Sequence, residues 1–176
     1  MRQFLLLIFL VAGAAFPARS QNHAGGLDWI GYRNQRFGLV LRYPAHVFKF
    51  ERAAAAGDGE LFSSQDGRAQ LLIGAFENTD HHSPESYQKF IARQSYSGLK
   101  IDYAPVGRSW SVISGVRGDT MIYEKVMFSC GGRVINSFAM TYPVAERRLY
   151  DPIVEGIEDS FSPGTEGCSQ HATARP

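Results

Sequence analysis

The chain has 176 residues, with 18 Lys and Arg against 17 Asp and Glu, and two cysteines. That near-neutral balance excludes the concentrated basic face on which general nucleic-acid binding depends. The length suits one domain with a real hydrophobic core.

Residues 1–20 read MRQFLLLIFLVAGAAFPARS. Arg2, the apolar run from Phe4 to Val11 and the small residues beyond it have the layout of a secretory signal peptide. A cut after Ser20 places Ala18 at the −3 position, and cuts near Ala14 or Ala15 fit the same rule. A retained anchor is the alternative, but a span needs about 20 apolar residues and this run has roughly ten. The mature chain is therefore expected to be exported, periplasmic or secreted, with no transmembrane segment after cleavage. Loss of Arg2 and Arg19 tips its charge slightly acidic.

Residues 21–31 read as a polar lead-in, with Trp29 and Ile30 as docking side chains, and residues 32–162 as a single domain. Phe37, Leu39, Leu41 and Tyr43 alternate in a strand that Pro44 ends. Phe48 and Phe50 are expected to return to the core, and residues 53–59 to form a surface loop. Segments 60–64 and 69–76 make a hairpin across Asp66-Gly67. In its second strand Leu71, Ile73 and Ala75 face one way and Leu72 and Phe76 the other, so cover is expected on both sides.

Ser83 and Pro84 open a helix that Gly98 closes, and Tyr87, Phe90 and Ile91 give it a narrow apolar face. A strand over 101–106 leads into Trp110–Tyr142, three antiparallel strands turned at Arg117-Gly118-Asp119 and at Gly131-Gly132. The middle strand is apolar on both faces, Ile122, Val126 and Phe128 on one and Met121, Tyr123 and Met127 on the other. Leu149, Ile153, Val154, Ile157 and Phe161 then recur every three or four residues. They predict a closing helix with Asp151 as its cap and Pro152 at its first position. Residues 163–176 carry no apolar pattern and are expected to be a flexible tail.

Both cysteines, Cys130 and Cys168, lie in the exported part. An even count in an oxidising compartment favours a disulfide, which here would close a loop of about 39 residues. Two unpaired thiols are the alternative, because Cys168 sits in the expected tail. Asp80, His81 and His82 gather oxygen and imidazole donors ahead of the first helix and are the candidate metal ligands. Adjacent histidines point apart, however, and structural zinc sites draw on ligands at recurring spacings from two elements. A solvated loop is the competing assignment. Asp58 and Asp66 each precede a glycine without the EF-hand ligand pattern. There is no G-x-S-x-G elbow, and a contact in space between Cys130 and His46 is the remaining route to a nucleophile. No catalytic residue and no cofactor is assigned. Tyr32, Tyr43, Tyr96, Tyr103 and Tyr150 lie near element ends, either at the core edge or as an interface patch.

The order of elements, with Tyr32, Phe37-Gly38-Leu39 and Tyr43-Pro44, then Phe62-Ser63-Ser64 with Asp66-Gly67, then Tyr142-Pro143 through Ile157 to Ser160-Phe161, resembles the PsbP-like superfamily over residues 32–162. It is similar in particular to small exported proteins of alphaproteobacteria with the same punctuation. The resemblance implies an α+β fold, a twisted antiparallel sheet with helices packed on both faces in an α/β/α sandwich. It carries over no active site, since the family's roles are mostly docking and assembly. The metal-binding histidines proposed for its photosystem member have no matching motif here. The expectation is an exported, non-enzymatic binding or assembly module that docks a protein partner in the cell envelope. A carrier of a small apolar ligand or loosely bound metal is the alternative, marked by a pocket between helix 84–97 and the sheet.

Overall fold

Glycine-marked turns and alternating apolar residues lay out nine strands and two helices in the computed structural model, which describes residues 26–166 and 168. In chain order they are β1 (Trp29–Arg33), β2 (Val40–Pro44), β3 (Phe48–Ala53), β4 (Gly59–Ser64), β5 (Gln70–Glu77), α1 (Pro84–Gln94), β6 (Lys100–Tyr103), β7 (Trp110–Arg117), β8 (Thr120–Ser129), β9 (Val134–Pro143) and α2 (Arg147–Ser160). Strands β1 and β2 form a separate two-stranded ribbon. The other seven form one antiparallel sheet in the order β3-β4-β5-β9-β8-β7-β6.

The centre of this sheet is the β8–β9 pair, in register over ten residues from Thr120 opposite Pro143 to Ser129 opposite Val134. Gly131 and Gly132 turn it at φ 68° and 88°, a left-handed backbone that a Cβ disfavours. Successive strand side chains point to opposite sides, and two apolar clusters follow that alternation. Val112, Met121, Tyr123, Phe138 and Met140 pack with Ile153, Val154 and Ile157 of α2. Ile113, Val126, Phe128 and Ile135 pack with Tyr87 and Ile91 of α1. The middle strand is thus apolar on both sides because each side meets a different cluster.

Helix α1 begins where its residues dictate. The Ser83 hydroxyl accepts from the Ser86 N–H, Ser86 Oγ accepts from the Ser83 N–H, and Pro84 occupies the first turn, where its missing N–H costs nothing. Helix α2 departs from expectation. It begins at Arg147, so Pro152 lies inside it and Asp151 is not its cap. Asp151 accepts hydrogen bonds from Tyr142 Oη at 2.8 Å and Arg147 Nε at 3.1 Å, tying the helix to β9. A side chain at Gly156 would meet the Trp29 ring at 2.5 Å, and that close approach is how Trp29 docks on α2.

Other boundaries moved as well. Residues 29–31 belong to strand β1 rather than to an irregular lead-in, and Ile30 is exposed. Phe37 and Leu39 are buried in a turn ahead of β2, where Asn34 Oδ1 accepts the Phe37 N–H at 2.8 Å. Phe48 reaches the core but Phe50, on the outermost strand, is exposed. On β5, Leu71, Ile73 and Ala75 are fully buried, whereas on its second side Phe76 packs against Tyr87 of α1 and Leu72 is exposed, so that side is covered only in part.

Residues 163–166, where the sequence suggested a tail, run along the domain. Asn136 Oδ1 accepts the Gly164 N–H at 2.9 Å, Ser129 Oγ donates to the Gly164 carbonyl at 2.5 Å, and Glu166 pairs with Arg33. Cys130 and Cys168 stand at disulfide-bonding distance, with Cα atoms 5.0 Å apart. The expected signal peptide, residues 1–20, lies outside the described residues. Reduction of the cysteine pair should lower stability by roughly 4 kcal/mol or less on loop-entropy grounds, read as a lower urea midpoint. Coincident midpoints with and without reductant would mean that Asn136 and Ser129 hold the segment unaided.

Candidate binding cleft beside helix α1

The partly covered side of β5 is one wall of a cleft of about 560 Å³. Its opposite wall is α1 and the residues after it, through Tyr87, Ile91 and Tyr96. The floor between them is low because β9 contributes Ser137, Ala139 and Thr141, while its large residues Phe138 and Met140 point to the other side. Leu72 of β5 stands opposite Ala139, and Ala139 stands opposite Glu124 of β8, so the three form a row across the sheet. Arg52 and Glu60 line the cleft from β3 and β4.

Glu124 is the polar end of that row, with only 7% of its surface exposed. Tyr96 Oη donates to its Oε2 at 2.5 Å, the only hydrogen bond its side chain makes among the described residues. Burial pushes its carboxyl up to about 7, and the Tyr96 hydrogen bond offsets only part of that. Tyr96 is itself pushed above the usual tyrosine range, first by burial and then by the Glu124 charge. The sequence neighbour Lys125 gives no help, because the strand pleat turns it to the other side. There Lys125 Nζ lies 2.7 Å from Glu158 Oε1, and Tyr123 Oη donates to Glu158 Oε2 at 2.6 Å. Burial alone would raise Glu158, but the Lys125 and Tyr123 hydrogen bonds outweigh it and its carboxyl sits below the usual value. One carboxylate is compensated and the other is not.

No protein-family model matches the sequence, and no curated protein sequence matches it. Solved structures do. The solution structure of cyanobacterial PsbP (CyanoP) from Synechocystis sp. PCC 6803 aligns with a TM-score of 0.56 and 13% identity, covering 84% of this chain and 99% of that one. The fold is PsbP-like. The crystal structure of the Ran-binding protein Mog1p of Saccharomyces cerevisiae aligns with a TM-score of 0.54 and 9% identity, covering 77% of this chain and 95% of that one. At such identities the likeness establishes the fold alone.

Within this PsbP-like fold, the residues singled out from sequence scatter. His82 packs its ring on Tyr87 and Phe90, with Nδ1 3.1 Å from Ser86 Oγ and Nε2 4.0 Å from Asp80. His81 is in the left-handed region at φ 54°. Among the described residues no group of three or more His, Cys, Asp or Glu side chains is placed to hold a metal. Cys130 faces Cys168, so it is not a free thiol for His46. Of the five tyrosines near element ends, Tyr32, Tyr43 and Tyr150 are core and Tyr103 is exposed. Tyr96 is not a surface aromatic, as its hydroxyl is spent on Glu124.

Glu124 was not singled out from sequence, although a signal for it exists. It interrupts the apolar series Ile122, Val126, Phe128 on one face of β8, and the facing positions on β9 are small. A carboxyl raised by folding above its ordinary 4.5 stabilises the fold fully at low pH and loses that contribution as pH climbs through about 7. The loss over that window is about 3 kcal/mol. Glu124→Gln keeps an acceptor for Tyr96 without a charge, so its stability advantage over the unmutated chain should be near zero at about pH 4.5 and grow to about 3 kcal/mol at pH 8. Urea unfolding of both chains at the two pH values measures this, and parallel profiles would contradict it.

Proposed function

We propose that the chain is an exported, non-enzymatic binding module of the cell envelope that docks a protein partner through the outer edge of β6. The observation that carries this reading is the edge itself. Among the described residues strand β6 pairs only with β7 and ends the sheet, so its outer N–H and C=O groups can receive another strand. Ile101 and Tyr103 of β6 leave 47% and 55% of their surface exposed, and Val106 just beyond the strand 42%, an exposed apolar group that includes a tyrosine, a residue enriched at interfaces. Mog1p, with the same fold, is described as Ran-binding, so a protein of this architecture can bind another protein.

Export fits the cysteine pair, since disulfides persist in oxidising compartments. In this reading residues 1–20 are a removed signal peptide, and the domain extends from β1 to the segment 163–166 that lies along it. A helix on each face of the sheet, the α/β/α arrangement, is supported by neighbours on β7, where Val112 joins the α2 cluster and Ile113 the α1 cluster. The cleft beside α1 favours a second reading, a carrier of a small ligand, because its volume is in the range of small-molecule sites.

A photo-crosslinking residue at Tyr103 should yield a discrete adduct in the envelope fraction of the source cells. The same residue at Lys49, on the opposite edge strand β3, should not. Ile101→Lys should remove the adduct without changing the circular dichroism of the chain. Equal adducts at 103 and 49, or an adduct indifferent to Ile101→Lys, would exclude the β6 edge as the docking surface.

A further inference from the structure

Three properties of the cleft beside α1 converge on one class of ligand. Its lining is largely hydrocarbon, from Leu72, Phe76, Ile91 and Ala139, which suits an apolar stem. One end of the row across its floor is a carboxylate that is more than nine-tenths buried and, among the described residues, bonded to no basic side chain. A buried anion of this kind is stabilised most by a cation brought to it, since the low local dielectric strengthens the pair. We propose that the cleft binds a small aliphatic amine, its ammonium against Glu124 and its hydrocarbon stem along Ala139, Leu72 and Phe76. The inference rests on the carrier reading of the cleft and goes on to specify the ligand.

The geometry also selects among cations. Oε2 of Glu124 is committed to Tyr96, which leaves one oxygen for the ligand. A guanidinium gains most from a bidentate grip on both oxygens, whereas an ammonium is a point charge that needs one. A divalent ion would want six or more oxygen ligands, and Glu124 with the Tyr96 hydroxyl falls well short of that. The volume of about 560 Å³ admits a chain of several carbons and lies within the usual span of small-ligand sites.

Binding should depend on pH through Glu124. The groups facing it are the Tyr96 and Tyr87 hydroxyls from the α1 side, with Arg117 of β7 acting on Tyr96 and with Glu60 on β4 and Arg52 on β3 lining the cleft. The β9 floor offers only Ser137, Ala139 and Thr141, and among the described residues no histidine lines the cleft. Arg117 lies with Nη1 3.5 Å from the Ser95 carbonyl. Burial also raises the Glu60 carboxyl above the usual carboxylate value.

The test is titration calorimetry of the disulfide-bonded chain with n-hexylamine, n-hexanol and n-hexanoate at about pH 8 and about pH 5.5. Hexylamine should bind roughly tenfold more tightly than hexanol at the higher pH, and hexanoate more weakly than either. That advantage should shrink several-fold at the lower pH, where Glu124 is protonated. Glu124→Gln should abolish it while leaving hexanol affinity intact, with near-ultraviolet circular dichroism confirming the fold. Ala139→Phe, which fills the floor, should weaken hexylamine and hexanol alike. Hexylamine and hexanol binding equally would overturn the amine inference and leave the carrier reading standing. The same holds if the preference survives Glu124→Gln. No binding by any of the three would overturn both. A lysine-containing peptide binding more tightly than hexylamine would overturn the free amine as the source and assign the cleft to a protein side chain.

Discussion

Ten residues of β8 hydrogen-bonded to ten of β9 form the ribbon on which the rest of the molecule is assembled. Because a strand sends successive side chains to opposite sides, this one pairing supplies apolar residues to two separate clusters. Met121, Tyr123, Phe138 and Met140 are buried with α2, and Ile122, Val126, Phe128 and Ile135 lie on the α1 side. Strand β5 extends the ribbon on one edge and β7 on the other, and neither helix covers the full width of the sheet.

The same pleat separates Glu124 from Lys125. In a loop the two could shield one another, but on β8 each must find a partner on its own side. Lys125 finds Glu158 of α2, and a tyrosine completes that group. Glu124 finds a tyrosine alone. Burying a carboxylate without a cation is costly, and a chain selected only for stability would replace it with an apolar residue. Its position at the inner wall of a cleft, with small residues beside it, is what a site for a complementary charge requires. Local inconsistencies of this kind tend to mark functional positions.

The fold was legible to the extent that it rests on local signals. Capping by Ser83 and Pro84, the Asp66-Gly67 and Gly131-Gly132 turns and the two-sided apolarity of β8 act within a few residues of the chain, and each produced the element it implied. The misses have a common origin. Pro152 looks like a helix start, but contacts of Tyr150, Ile153 and Ile157 with the sheet let α2 begin five residues earlier and retain the proline inside it. Phe50 and Leu72 have the periodicity of core residues, yet they fall where no helix arrives. Tyr96 resembled a surface aromatic because nothing near it in sequence reveals that its partner lies 28 residues further on.

The sequence by itself determined the strand and helix types, most turns and the pairing of faces along the central ribbon, because backbone propensity and side-chain alternation are short-range. It also determined the chemistry on offer: one pair of cysteines, a charge balance near zero and a lone glutamate in an apolar series. Only the tertiary structure decided that α1 covers Phe76 of β5 but leaves Leu72 open, that residues 163–166 lie along the domain and that Glu124 meets Tyr96 at the side of a cleft. Those outcomes depend on how far one packed element extends over another. That distance is set by side-chain volumes meeting across the sheet, and no window of neighbouring residues contains it.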